Sequence, residues 1–577
     1  MINTVKSVFK ILAKIDRWNP KKFVIISIFA SLSSFFDIIG LSILVTSMAA
    51  LLPDQLGLDQ GQGNLVYKNI VHAANYYELE TLILGVVLVF LIKAGYQTVY
   101  YLIQSKFCFS IQASMLEKLC DIYLKKRPSD FYGGDTSEYI RNSFQETEQF
   151  NFSVLIAMFS LISELSLITV MLLFLAVIDM QVTLITLLLA FFLTILFTWL
   201  LRRPLERNGA DRQYYFGLRL KIFRQALDGY KDLTISNSQE LFLQEMSIFN
   251  RRGVKANYLG HWLSQLPRMW VEFFAVASIL IALAYAMLLA NDSKNLFITL
   301  TLFAGASVRL MPTSSRIMTA INYLHYSKPV VELMLDELTV KNEKIPNLLS
   351  LNETDETDVS VVINHGIFKY YEDSDWCLKI NNFRINANEN VIIFGESGSG
   401  KSTILDIISG FKNLTEGKVE RNLGSKLELS EAWDWLGYCG QSVYLFDNDL
   451  DFNITLSTDP IDIARMSTVL QVAGISSTAD SIMSRDDSSL GESGQRLSGG
   501  QRQRIGIARA LYRKNVKLYI FDEITSNLEQ ELGHEIVSKI LDYAKDEIVI
   551  FVSHDRTLEQ YFDRTFTVAN GEIIEAT

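Results

Sequence analysis

Apolar residues fall in long runs through the first half of the chain and in short runs beyond about residue 326. A hydrocarbon core needs about 20 predominantly apolar residues per helix, and six stretches supply them: 22–51, 80–104, 151–178, 181–201, 268–290 and 295–324. Only Ile178-Asp179-Met180-Gln181 separates the third from the fourth, which predicts a tight hairpin. The connections after the second and fourth spans are long and polar. Within them Ser105–Leu124 and Asp211–Phe223 keep a helical spacing of apolar positions, so the helices are predicted to continue beyond the bilayer. Each then turns once, at Pro128-Ser129-Asp130 with Gly133-Gly134 and at Gly229-Tyr230-Lys231-Asp232.

Basic residues orient the spans. Lys21 and Lys22 precede the first, Lys118, Lys125, Lys126 and Arg127 follow the second, and Arg202, Arg203 and Arg207 follow the fourth. Positive charge near span ends marks the cytoplasmic side, so the amino terminus, both long connections and the carboxy-terminal body are expected there. Met1–Pro20 places Lys6, Lys10, Lys14 and Arg17 among apolar residues, which predicts an amphipathic segment lying on a membrane surface. The chain thus divides into a cytoplasmic amino-terminal segment (1–21), a six-span transmembrane domain (22–326), a polar linker (327–358) and a carboxy-terminal domain (359–577).

In that last domain Val359–Ile363, Val391–Phe394, Leu518–Phe521 and Ile548–Val552 read as strands and Lys401–Ser409 as a helix, the alternation of an α/β domain with a largely parallel sheet. With 53 Lys+Arg against 64 Asp+Glu among 577 residues, the formal net charge of −11 argues against a nucleic-acid partner. The four cysteines, Cys108, Cys120, Cys377 and Cys439, have neither the spacing of a zinc site nor that of a disulfide framework.

Gly395-Glu396-Ser397-Gly398-Ser399-Gly400-Lys401-Ser402 follows a strand and opens a helix, the context a phosphate-binding loop requires. Its glycines let backbone N–H groups surround phosphate oxygens, Lys401 adds a point charge and the Ser402 hydroxyl is a ligand for Mg²⁺. The strand Leu518–Phe521 ends in Asp522 and Glu523, which puts Asp522 near the metal and leaves Glu523 to polarise an attacking water. Leu497-Ser498-Gly499-Gly500-Gln501 opens a further helix, an anion seat in a domain that already has a phosphate loop.

These motifs together resemble the ATP-binding cassette family, with a polytopic α-helical exporter-like (type IV) membrane domain followed by an α/β P-loop cassette. The resemblance implies ATP and Mg²⁺ as ligands, Ser397, Gly398, Ser399, Gly400, Lys401, Ser402 and Thr403 as the phosphate cradle, and Ser402, Asp522 and Gln441 at the metal. It further implies Tyr370 stacked on adenine, His554 at the γ-phosphate, and a homodimer in which Ser498, Gly499, Gly500 and Gln501 close on the partner copy's nucleotide. One departure is Ser526-Asn527-Leu528-Glu529, where the family usually has Ser-Ala-Leu-Asp. Gly491-Glu492-Ser493-Gly494 resembles the short exporter segment that touches the membrane domain.

Ionisable residues within spans cost about 2.5–3.5 kcal/mol at the bilayer centre on insertion scales. Asp37, Lys93, Glu164, Arg268, Glu272, Arg309 and Arg316 are such residues. Either they pair, Asp37 or Glu164 with Lys93 and Glu272 with Arg268, or an unpaired basic subset lines a cavity for an anionic headgroup. Leu266-Pro267-Arg268, Arg309-Leu310-Met311-Pro312 with Arg316, and Ser163-Glu164 resemble the PglK-type flippase of bacterial protein glycosylation. That resemblance implies an anionic polyprenyl-pyrophosphate-linked oligosaccharide as cargo in the bacterial inner membrane, handled by Arg268, Arg309 and Arg316, with Lys93 standing where that family has arginine. Pro53–Lys68 corresponds in position to its external helix. A peptide exporter of the microcin or bacteriocin kind, or a lipid A or drug exporter, shares the same layout.

Overall fold

The computed structural model describes residues 2–51, 76, 79–132, 134–178, 180–289, 312–339, 360–370, 377–422, 433–475, 490–491 and 494–576. They divide into two units, Met1–Lys125 with Gly134–Lys341, and Lys126–Gly133 with Asn342–Thr577.

The first unit is helical. Pro20–Leu51, Leu79–Leu124, Met180–Asp228 and Gln239–Leu289 are continuous helices, the last two running through Pro204 and Pro267. A further helical run from Thr136 to Ile178 contains two π-helical stretches, Arg141–Glu146 and Asn151–Leu155. Residues 312–326 are helical too. Among the described residues, Glu80–Leu124 and Thr136–Phe174 are long and apolar enough to cross a membrane. At 1.5 Å per residue the 45 residues of Glu80–Leu124 extend for about 68 Å, more than twice a hydrocarbon core, so the apolar run and its amphipathic continuation form one rod. The predicted turns are short helices, Pro128–Tyr132 and Tyr230–Ile235. Pro53–Lys68 and most of the predicted sixth span lie outside the described residues.

Two expectations need correction. The amino-terminal helix Ile2–Leu12 does not present its apolar face to a membrane surface: Val8, Ile11, Leu12 and Ile15 are buried in one cluster with Met115, Leu119, Val330, Val331 and Met334. Lys14 Nζ donates to the Leu338 carbonyl at 3.0 Å. Amphipathic spacing shows that one face is to be covered, and says nothing of what covers it. Its cover includes Lys328–Thr339, a helix with Val330, Val331, Met334 and Leu338 buried, where the sequence read the start of a polar linker.

The described residues of the second unit form nine strands: β1 Ser360–Phe368, β2 Leu378–Asn386, β3 Asn390–Gly395, β4 Glu420–Asn422, β5 Leu436–Cys439, β6 Leu518–Asp522, β7 Ile548–Val552, β8 Arg564–Ala569 and β9 Glu572–Glu575. Their order is β4-β1-β2-β9-β8-β3-β7-β6-β5. From β8 to β5 every pairing is parallel, as the alternation of elements predicted, while β1 runs antiparallel to β2 and β4, and β8 to β9. All five residues of β6 and of β7 are buried, the mark of strands covered on both faces. Ile392, Phe521 and Phe551 pack with Ile505 and Ala508 of helix Gly499–Tyr512 on one face, and Ile393, Ile520 and Ile550 with Ile404 and Ile407 of helix Lys401–Ser409 on the other. Asp522 and Ile393 both pair with Val552, which brings the carboxyl ends of β3, β6 and β7 to one edge.

Candidate functional site

The site forms at that edge, where open α/β sheets bind ligands. β3 ends at Gly395 and the chain passes through Gly398 (φ 81°) and Gly400 (φ 112°) before entering helix Lys401–Ser409. A side chain at these φ values would be strained, so glycine is what lets the loop bend tightly around a ligand. Gly400 caps the helix without a side chain, leaving its first N–H groups open to an anion. Lys401 is buried, and its ammonium is held by the carbonyls of Gly395 at 2.9 Å and Glu396 at 3.0 Å. Ser397, Gly398, Gly400, Lys401, Ser402 and Thr403 line an open cavity of about 690 Å³ with Tyr370, Gln441, Glu523 and His554.

Asp522 is the buried last residue of β6, and its Oδ1 has no hydrogen-bond partner. Burial pushes its carboxyl above the usual aspartate range, Glu523 adds to that effect, and a hydrogen bond with Ser402 opposes it. An orphaned, buried carboxylate oxygen beside a serine hydroxyl is a hard-oxygen pair suited to Mg²⁺, with Gln441 lining the same cavity. A divalent ion bound there would offset phosphate charge.

Glu523 is held from three sides. Its backbone lies in the left-handed region at φ 52°, and its N–H donates to the Val552 carbonyl at 3.0 Å. Oε2 accepts from Gln441 Nε2 at 2.8 Å, while Oε1 lies 2.8 Å from His554 Nε2 and 3.8 Å from Lys401 Nζ. Strained backbone of this kind is found where surroundings over-determine a functional residue. The carboxylate is thus fixed at the cavity wall, in place to orient a water.

Tyr370, half-exposed just after β1, shares a hydrogen bond with Thr403 Oγ1 at 2.8 Å, and the Lys412 ammonium sits 5.0 Å from its ring centroid. Ser399 does not line the cavity; its buried hydroxyl has no hydrogen-bond partner. Ser498 and Gln501 cap helix Gly499–Tyr512 reciprocally, Ser498 N–H to Gln501 Oε1 at 2.9 Å and Gln501 N–H to Ser498 Oγ at 3.2 Å. Neither they nor Gly499 and Gly500 line the phosphate-loop cavity. Glu529 stands at the N-cap of Gln530–Tyr543 and makes no side-chain capping bond. Glu492 and Ser493 lie outside the described residues.

Sequence reasoning missed Gln503 and Asn527. Gln503 is buried, its Nε2 donates to the Glu523 carbonyl at 2.9 Å, and its Oε1 accepts from Asn527 Nδ2 at 3.2 Å. The signal was present: Gln503 shares a helical face with the buried Ile507, Ala510 and Leu511, and an amide at a core-facing position needs partners.

Within the first unit, Lys93 is buried and closes an ion pair with Asp37, and Arg316 pairs through its guanidinium with Glu164. An unpaired basic set therefore does not describe Lys93 or Arg316, and Glu164 partners Arg316 rather than Lys93. Arg268 is exposed, and Arg309 lies outside the described residues.

Residues 378–526, from β2 to just past Glu523, match the family described as ABC transporter. The second unit carries an ABC transporter domain. Over 90% of its length the chain is 22% identical to the ATP-dependent lipid A-core flippase of Ralstonia nicotianae, covering 86% of that protein. Over 42% of its length it is 29% identical to the pediocin PA-1 transport/processing ATP-binding protein of Pediococcus acidilactici, covering 34% of that protein. A bacterial Atm1-family ABC exporter with ATP bound superposes with a TM-score of 0.76 at 19% identity, covering 93% of each chain. The fold is that of an ABC exporter, a helical membrane unit followed by the ABC domain. The protein is an ATPase coupled to transport.

Proposed function

We propose that two copies of this chain form an ATP-driven flippase moving a polyprenyl-pyrophosphate-linked oligosaccharide from the cytoplasmic to the outer leaflet of the bacterial inner membrane. The observation that carries the reading of the cargo is Arg316, a cation in the helical unit that is bound to Glu164 yet leaves 46% of its side chain exposed. A guanidinium so placed can exchange a carboxylate for a phosphate, both of which fit its planar fork. A sugar-pyrophosphate cannot cross hydrocarbon unaided, because its charges would lose water without new partners. The polyprenyl tail stays in lipid throughout. The flippase from Ralstonia matches through both units, whereas the pediocin transporter matches over less than half the chain, which favours lipid over peptide as cargo.

Homodimerisation is favoured by two features. The Ser498–Gln501 anion seat does not line the phosphate-loop cavity of its own chain, and helix Tyr230–Ile235 buries none of its residues, leaving Tyr230 and Ile235 exposed. ATP closed between one phosphate loop and the other copy's Ser498 would draw two ABC domains together. Hydrolysis at Glu523, with Mg²⁺ held by Ser402, Asp522 and Gln441, would release them.

The test is reconstitution into vesicles with a labelled polyprenyl-pyrophosphate sugar. ATP-dependent appearance of label on the opposite leaflet is expected; continued ATP turnover with no movement of label would overturn the cargo, and export of a peptide would be the reading left.

A further inference from the structure

On the helix Met180–Asp228, Arg203, Arg207, Asp211 and Tyr215 recur at four-residue intervals; on Gln239–Leu289, Arg252, Lys255 and Leu259 follow at three and four. Both spacings keep side chains on one helix face, and together these residues enclose a pocket of about 640 Å³, within the range of small-ligand sites. Its wall holds four cations and a single carboxylate, Asp211.

One carboxylate leaves most of that charge uncompensated. Next to the pocket the acid Glu206 is already taken, by Arg202 at 2.9 Å and Lys328 at 3.1 Å. Among the described residues no carboxylate lies within ion-pair distance of Arg203, Arg207, Arg252 or Lys255; Arg252 only faces the Tyr215 ring, at 5.9 Å. Like charges four residues apart on a helix repel, so Arg203 above Arg207 is a stacking that an anion would relieve. Orienting the spans needs basic residues alone; it does not need two helices to fold them around a concavity.

The depth of the pocket is set by two tryptophans. Trp199 stands one turn before Arg203 on the same row and is 77% exposed, and Trp262 stands seven residues beyond Lys255 and is 55% exposed. Exposed tryptophan on a membrane helix marks the headgroup level. At 1.5 Å per residue the basic side chains begin about 6 Å from that level on one helix and about 10 Å on the other, within reach of long side chains that extend toward it. Basic pockets between membrane helices on the cytoplasmic side suit phosphorylated lipid headgroups.

We propose that this pocket binds the phosphate or pyrophosphate headgroup of an anionic lipid in the cytoplasmic leaflet. The site uses none of Lys93, Arg268, Arg309 or Arg316 and stands whether or not a glycosylated polyprenyl lipid is the cargo.

The test uses the full-length protein in nanodiscs of phosphatidylcholine, with and without a small mole fraction of undecaprenyl phosphate, and native mass spectrometry to read retained lipid. The unaltered protein retains the polyprenyl phosphate; Arg207→Gln with Lys255→Gln weakens retention about tenfold to thirtyfold, from roughly one surface-charge contribution per residue. Arg251→Gln, on the same helix but outside the pocket, leaves it unchanged, and ATPase in plain phosphatidylcholine persists in every variant as the check on folding. Equal retention by the doubly neutralised protein would overturn the proposal. So would displacement of the lipid by an equimolar amount of inorganic pyrophosphate, which would make the pocket a site for soluble anions.

Discussion

Gln503 Nε2 donates to the carbonyl oxygen of Glu523 at 2.9 Å, so the helix that begins at the Ser498 cap holds the backbone of the residue proposed to orient the attacking water. Both ends of the Gln503 amide are used, the other by Asn527, and the Glu523 backbone it steadies lies at φ 52°. Gln503→Leu keeps the volume and removes both bonds. It should lower kcat for ATP by about tenfold to a hundredfold, the cost of a small misplacement of a catalytic group, with little change in KM. A proportionate rise in KM would show that Gln503 supports nucleotide binding instead.

Glu523→Gln tests the acid itself. The amide is isosteric and still meets Gln441 and His554, but no longer draws a proton from water, so turnover should fall by about 10²-fold or more while labelled ATP stays bound. His554→Ala removes the Oε1 partner at 2.8 Å and should slow turnover less, since Gln441 still holds Oε2 at 2.8 Å. ATPase at the unaltered rate in Glu523→Gln would remove its assigned role.

Much of this was legible in the chain, and the parts that were not share a cause. Strands β3, β6 and β7 and helix Lys401–Ser409 were readable because buried parallel strands are unbroken apolar runs and the glycines beside them have one conformational use. Strands β2 and β9 lie where the pairing is mixed, parallel to each other and antiparallel to β1 and β8, and β2 carries Lys379, Asn381 and Asn382 in an interrupted pattern that composition does not separate from loop. The phosphate loop was visible since its function is local in sequence. Gln503 was not, since its partners Glu523 and Asn527 come from beyond its own helix and their meeting depends on the sheet. The same holds for Arg316 and Glu164, separated by 152 positions.

The Lys93–Asp37 pair, both side chains almost wholly buried, gives a prediction with two arms. Removing one partner leaves a buried charge, which costs about 3–5 kcal/mol. Asp37→Asn should therefore unfold far more readily in detergent, while Asp37→Leu with Lys93→Met should recover most of the loss. A double variant as weak as the single one would show that the pair contributes stability beyond cancelling its own burial.

The amino-terminal helix should be part of the folded unit. Ile11 is fully buried beside Leu12 and Val8, so Ile11→Ala should cost about 2–5 kcal/mol through lost burial and the cavity left behind. An amphipathic segment resting on lipid would lose far less, and only in the presence of membrane. Unfolding in detergent, with no bilayer present, separates the two.

Asp522 sets stability against function. Its carboxyl is raised by burial, so the neutral form is favoured in the folded state: the contribution to stability is complete below the ordinary aspartate range and is lost as pH rises through the raised folded value. Without metal the site therefore disfavours the charged carboxylate, and its buried Oδ1 meets no donor. Asp522→Asn removes the ionisable group and with it this penalty, and should raise the thermal midpoint in EDTA at pH 7, the gain vanishing below about pH 4, where the ordinary carboxyl is protonated in both states. With Mg²⁺ and ATP the order should reverse, since a ligand that binds only the folded state stabilises it and the variant lacks a carboxylate oxygen for the metal. An unchanged midpoint in EDTA would mean that the Ser402 hydrogen bond already compensates the burial. An unchanged response to Mg²⁺ would take Asp522 out of the metal site.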